Sequence, residues 1–143
     1  IIDSMNTRLS AVLGADYQKL KYVRNIDKNS QTEKRKGYGA MVGTAVPAEE
    51  SVNGSFTIEQ VFSVVLADAV DNKKTEREQE DKALVMHSAM DSIMKDFQAS
   101  RMSQPTLVIQ VEDPTKDDLV VSEDGGTISL VAHFPIIYRE AHR

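Results

Sequence analysis

The chain of 143 residues contains no cysteine and no tryptophan, and only 6% of it is aromatic. Without cysteine there is no disulfide framework, no thiolate nucleophile and no cysteine-ligated zinc. Histidine is nearly as scarce. His87, His133 and His142 lie far apart, and none has a second ligand at His-x-x-x-His spacing, so the helical zinc motif is excluded. No apolar run approaches the roughly 18 residues of a membrane-spanning helix, and no signal-peptide apolar region is present. No Gly-x-Ser-x-Gly elbow marks a serine nucleophile. The glycines Gly37, Gly39 and Gly43 miss Gly-x-Gly-x-x-Gly by one place, and they lead into a predicted strand where a phosphate-binding turn would open a helix.

Excess positive charge is also lacking. Seventeen Lys and Arg stand against twenty-two Asp and Glu, a formal charge of −5. A general nucleic-acid binder would carry a net basic footprint. What is present is ordinary globular material, 41% hydrophobic and 27% charged, outside the disordered regime. The length fits one domain over residues 1–143, and a chain of this size buries about two-thirds of its unfolded surface. Composition thus points to a soluble domain of a reducing or redox-indifferent compartment, with no membrane partner. The sequence begins at Ile1, which leaves room for a short segment ahead of it.

Periodicity supplies the elements. Ile2, Met5, Leu9 and Val12 recur at 3, 4 and 3, one stripe of a helix that Gly14 can stop. Tyr17 to Asn25 has strand content with imperfect alternation. Residues 26–36 hold one apolar side chain and read as a polar loop. A second strand is predicted from Tyr38 to Val46, closed by Pro47, with turn residues from Ala48 to Gly54. Phe56, Ile58, Phe62, Val64 and Leu66 then share one strand parity, interrupted by Gln60. Thr75 with Glu78 matches a capping box opening an uninterrupted helix over 76–100, whose stripe is Ala83, Met86, Met90, Ile93 and Phe97. Met94 falls at the edge of that stripe, so the methionines read as packing.

After Pro105, Leu107, Ile109 and Val111 alternate as a strand, followed by an acidic turn with Asp113, Asp117 and Asp118. Leu119–Ser122 and Thr127–Tyr138 flank Glu-Asp-Gly-Gly, a hairpin signal. Ile128, Leu130, Ala132, Phe134, Ile136 and Tyr138 hold one face of the last strand. The order predicts an α+β fold: a largely antiparallel sheet of about five to six strands, with a short N-terminal helix and one long helix on one face.

Chemistry finds little support in this pattern. His87 lies on the long helix, His133 on the strand parity opposite Phe134, and His142 in the tail; each reads as a surface or packing residue. The acidic turn lacks the glycine and closing glutamate of a calcium loop, so no metal or cofactor is expected, and no catalytic residue. Charge placement says more. Arg24 to Lys36 holds five basic and two acidic residues, a balance of +3, and Glu112 to Asp124 holds six acidic and one basic, a balance of −5. Two loops of opposite sign are either solvated independently or meet head to tail between copies, the contact type that generates rings. On charge alone Lys34, Arg35, Lys36, Asp117 and Asp118 are the candidate interface residues.

In its layout the chain resembles the tail-terminator (tail-completion) proteins of long-tailed bacteriophages. The segments that carry this are the opening helix leading to Val23-Arg24-Asn25-Ile26-Asp27, the polar loop into Gly37-Tyr38-Gly39, the strand Phe56 to Leu66 before the long helix, and the closing Phe134-Pro135-Ile136-Ile137-Tyr138-Arg139. The likeness lies in order and strand texture over most of the chain. It implies a curved sheet backed by helices and a ring of identical subunits, typically six. That ring caps the head-proximal end of the tail tube, stops its polymerisation and meets the head connector. Partners would be the tube and connector proteins, with DNA passing through the lumen without specific binding, in a virion assembled in the host cytoplasm. A net charge of −5 suits a lumen that must not grip DNA. Another neck, head-completion or tube subunit has the same texture. From a different class, a small intracellular ligand-binding or regulatory α+β domain fits the same elements.

Overall fold

A computed structural model of the chain describes residues 1–21, 36–50, 56–69, 76–100, 107–121 and 126–140. Helix α1 spans Ile2–Leu13 and buries Met5 and Leu9 of the predicted stripe. Gly14 stops it with φ 76°, a left-handed conformation that costs glycine nothing, and its N–H donates to the Ser10 carbonyl at 3.0 Å. The strands are β1 (Gln18–Lys19), β2 (Gly37–Glu50), β3 (Phe56–Ala69), β4 (Leu107–Val111), β5 (Thr115–Lys116), β6 (Val120–Val121) and β7 (Thr127–Glu140); helix α2 covers Glu76–Ser100.

These strands form one sheet in the order β1-β2-β3-β7, and β4, β5 and β6 follow one another along the far side of β7. Every pairing is antiparallel except β1 with β2. The α+β expectation therefore holds, with seven strands instead of five or six. The extra one is β5, in the acidic segment: Thr115 and Lys116 pair with His133 and Ala132, so what reads as a turn touches the sheet midway. The strand predicted from Tyr17 to Asn25 is two residues among those described, bonded to β2 by Gln18 N–H to Lys36 O and Leu20 N–H to Tyr38 O.

Pro47 does not close β2, contrary to expectation; the strand runs on to Glu50. Proline lacks the N–H of a ladder bond and is tolerated where one side of a strand needs no donor. Beyond Tyr38, β2 pairs on one side only among the described residues, and Pro47 sits opposite Ile58 beside a register shift. The polar loop at 26–36 (up to residue 35), the capping box at Thr75, the Glu-Asp-Gly-Gly turn up to Gly125, and His142 lie outside the described residues. The strands flanking that turn do pair, Val120 with Ser129 and Val121 with Ile128.

Both helices pack on one face. Met5 and Leu9 of α1, Met86, Met90, Ile93 and Phe97 of α2, Phe62, Val64 and Leu66 of β3, and Ile128 to Ile136 of β7 at alternate positions form one buried cluster. The Phe97 and Phe134 rings meet at 4.9 Å between centroids. Each fully buried large side chain of this kind contributes about 1.5–3 kcal/mol by leaving water. Arg8 of α1 ties the two helices together by a two-bond contact with Asp96 of α2, one of them 2.9 Å from Nε, which raises the guanidinium pKa still further. At the start of the helix layer, Lys82 Nζ donates to the Ala69 carbonyl at 2.6 Å and lies 3.8 Å from the buried Asp68.

Gln60, a polar residue that interrupts the apolar parity of β3, has a specific job. Its amide N–H donates to the Gly43 carbonyl at 2.7 Å, and its amide oxygen accepts from the Tyr138 hydroxyl at 3.0 Å. It thus joins three strands where β2 shifts register between Val42 and Ala45. Gly43 stands so close to β3 that a Cβ there would lie 2.9 Å from the Val61 carbonyl oxygen.

Candidate functional site

The sheet topology decides where the candidate charges go. Lys36 precedes Gly37 on the β2 side; Asp117 and Asp118 follow β5 beyond β7. Two strands, β3 and β7, therefore separate them. The structure does not bring the five candidate residues together; it sets the described ones on opposite edges. Gly37 is in register with Ala67, while the Asp117 N–H donates to the Val131 carbonyl, opposite Val65. Along the strands the two charge positions thus differ by about three residues, roughly 10 Å. Lys34 and Arg35 lie outside the described residues.

On the basic edge, Lys36 Nζ stands 5.7 Å from the centre of the Tyr17 ring, within the range of a cation–π contact. Burial pushes the Tyr17 phenol up, and the negative charges of Asp68 and Asp16 add to it. On the acidic edge, Asp113, Asp117 and Asp118 are exposed. Lys116 is turned the other way, toward the helices, where its Nζ donates to Asp91 Oδ1 at 2.8 Å and lies 3.4 Å from His87 Nδ1. That hydrogen bond holds the Asp91 carboxyl below its ordinary range. The strip after β4 is thus clamped to α2 by Lys116 and by Asp113, whose Oδ1 accepts from Gln98 Nε2 at 3.3 Å, while Asp118 is exposed.

Asp117 has a second engagement, on the sheet face away from the helices. Its Oδ2 lies 2.8 Å from His133 Nε2, and His133 Nδ1 lies 2.8 Å from Ser63 Oγ. Three segments converge here: Ser63 from β3, its register partner His133 from β7, and Asp117 from the end of β5. In the sequence His133 stands isolated and no serine is distinguished. Parity alone places Ser63 and His133 on outward-facing positions of their strands. Only the register, which sequence does not specify, sets them opposite each other. His87 likewise is not isolated, since Lys116 reaches it. Among the described residues no group of three or more His, Cys, Asp or Glu is placed to hold a metal ion, and no helix is long and apolar enough to cross a membrane.

No protein-family model matches the chain, and no curated protein matches it in sequence. Among solved structures, a chain of the structure titled "Virion of native gene transfer agent (GTA) particle" is similar at 10% identity with a TM-score of 0.49, over 93% of this chain and 84% of that one. At that identity and score the likeness is one of general outline.

Proposed function

We propose that the chain is a structural subunit that acts by docking beside identical copies, as a ring-forming tail terminator of a long-tailed phage that caps the tail tube and meets the head connector. The observation that carries the reading is the separation of charge across the sheet: Lys36 beside the β1 edge, and Asp113, Asp117 and Asp118 along the β4–β5 edge. A surface that attracts its own opposite edge makes heterologous contacts, and such contacts close into rings when the rotation allows. Charges at the rim fix register and steer encounter more than they add affinity. The resemblance in element order supplies the terminator role, and the reading needs no cofactor and no turnover.

The test is a charge swap. In light scattering after size exclusion at low salt, the native chain should run as a discrete ring, alone or on addition of purified tail tubes. Lys36→Glu and Asp118→Lys should each weaken assembly, because each places like charges across the contact. The double variant should restore it, since both edges then change sign together. Raised salt should weaken native assembly as screening grows. A native chain that stays monomeric and never binds tubes or connectors overturns the reading. A melting temperature raised by several degrees by one metabolite would favour the ligand-binding alternative.

A further inference from the structure

We infer that Ser63 is an activated nucleophile, with His133 as its base and Asp117 as the positioning residue, open to acylation by an activated ester carrying a small apolar acyl group. The inference shares Asp117 with the assembly reading but is argued from the contacts of His133 and Ser63. A carboxylate only accepts hydrogen bonds, so Asp117 Oδ2 at 2.8 Å calls for a proton on Nε2, which in the neutral imidazole leaves Nδ1 bare. The Nδ1 lone pair then points at Ser63 Oγ, also at 2.8 Å, and accepts its hydroxyl proton. Nucleophile, base and orienting carboxylate are thus linked in the order that activates serines on unrelated folds, here with the two ring nitrogens exchanged.

The surroundings favour an apolar acyl group. On the same sheet face, Val61 and Val65 flank Ser63 along β3, Val131 and Pro135 flank His133 along β7, and Met41 lies opposite Ser63 on β2. Val65 is buried and forms a floor, while Val61 is 38% exposed and leaves the approach open. In the step, a bond forms between Oγ and the ester carbonyl carbon as the hydroxyl proton passes to Nδ1. The resulting imidazolium is held by Asp117. The tetrahedral adduct then expels the leaving alcohol, which takes the proton from Nδ1 and leaves an ester on Ser63.

Turnover should be poor. Ser63 lies between Met41 and His133 in the ladders on both sides of β3, so its backbone groups are spent in the sheet, with no spare pair of N–H donors to stabilise an oxyanion, usually the largest catalytic contribution. The acyl group should therefore accumulate at one per chain.

The experiment treats the full chain with p-nitrophenyl acetate and follows nitrophenolate release, intact mass and the labelled peptide. Expected is a single acetyl on Ser63, absent in Ser63→Ala. His133→Gln should slow its formation by about 10²-fold or more, within the usual contribution of a general base. Nitrogen-15 shifts of the imidazole should report the Nε2–H tautomer in the native chain and lose that preference in Asp117→Ala, which a purely structural role would not require. If a variant fails to fold, native and urea-unfolded wild-type chains decide: labelling of Ser63 should vanish on unfolding. Equal labelling of Ser63 in urea and in buffer, or acetyl spread over lysines with Ser63 untouched, overturns the inference.

Discussion

Along β7 the residues from Ile128 to Ile136 that face the helices are all buried, whereas those between them, from Ser129 to Pro135, remain partly exposed. The same backbone thus serves two surfaces. On the helix side the β7 positions from Ile128 to Ile136 join the buried apolar cluster with α1, α2 and β3. On the open side the strands carry Ser63, His133 and the approach of Asp117, set between the exposed Val61 and the buried Val65. Stability belongs mainly to the first surface, and any interaction or reactivity to the second and to the edges.

That contrast can be broken most severely at the aromatic pair. Phe97→Ala removes a fully buried ring from Phe134 and should cost about 3–5 kcal/mol in urea denaturation. Val61→Ala, on the open side, should stay within about 0.5 kcal/mol. Equal costs would mean that the open side is as densely packed as the other.

The boundary between the two regimes lies at the register shift of β2. Gly43→Ala places a methyl group 2.9 Å from the Val61 carbonyl oxygen, backbone that cannot yield without opening the ladder, and should cost about 1–3 kcal/mol. Gln60→Leu loses both of its strand-bridging hydrogen bonds and should cost about 1 kcal/mol. Amide exchange should quicken around Gly43 in both variants if the bridge holds the bulge.

The smallest effect is expected at the exposed clamp. The Asp91 carboxyl is held down by the Lys116 hydrogen bond, so its pKa is lower folded than unfolded. Its contribution is complete above the unfolded value and disappears as pH falls through the folded one, below the ordinary carboxylate range. Lys116→Met should therefore lower stability by no more than about 0.5 kcal/mol at neutral pH, and the difference from wild type should close in strong acid. The urea midpoint measured at both pH values checks this.

How much of this was legible depended on whether a feature was local. The helix 76–100 and its stripe could be read directly, because a period of 3.6 over 25 residues has no competing explanation and neither glycine nor proline interrupts it. The inward residues of β7 were legible for the same reason at period two. β1 was legible only as strand content within Tyr17 to Asn25, since its parallel pairing with β2 depends on a partner distant in the chain. Pro47 misled because a proline stops a central strand but not an edge, and which strand is an edge is a property of the whole sheet. The candidate site divided likewise. Exposed Asp113 and Asp118 could be anticipated from charge alone, whereas the engagement of Asp117 with His133 and Ser63 required two registers at once.

Strand β7 touches β3 on one flank and three separate segments on the other, and in the chain it comes after all the other described elements. While such a chain is being synthesised, β3 through β6 can emerge from the ribosome before the strip that joins them exists. A nascent chain halted ahead of Thr127 would hold its helices and the β2–β3 hairpin but have nowhere to seat Phe97, and would present sticky flanks to any companion at the same stage. Synthesis of this fourteen-residue strand is then the event that lets the segments on its two flanks join, so a stall or truncation ahead of it should send the product to chaperones or aggregates.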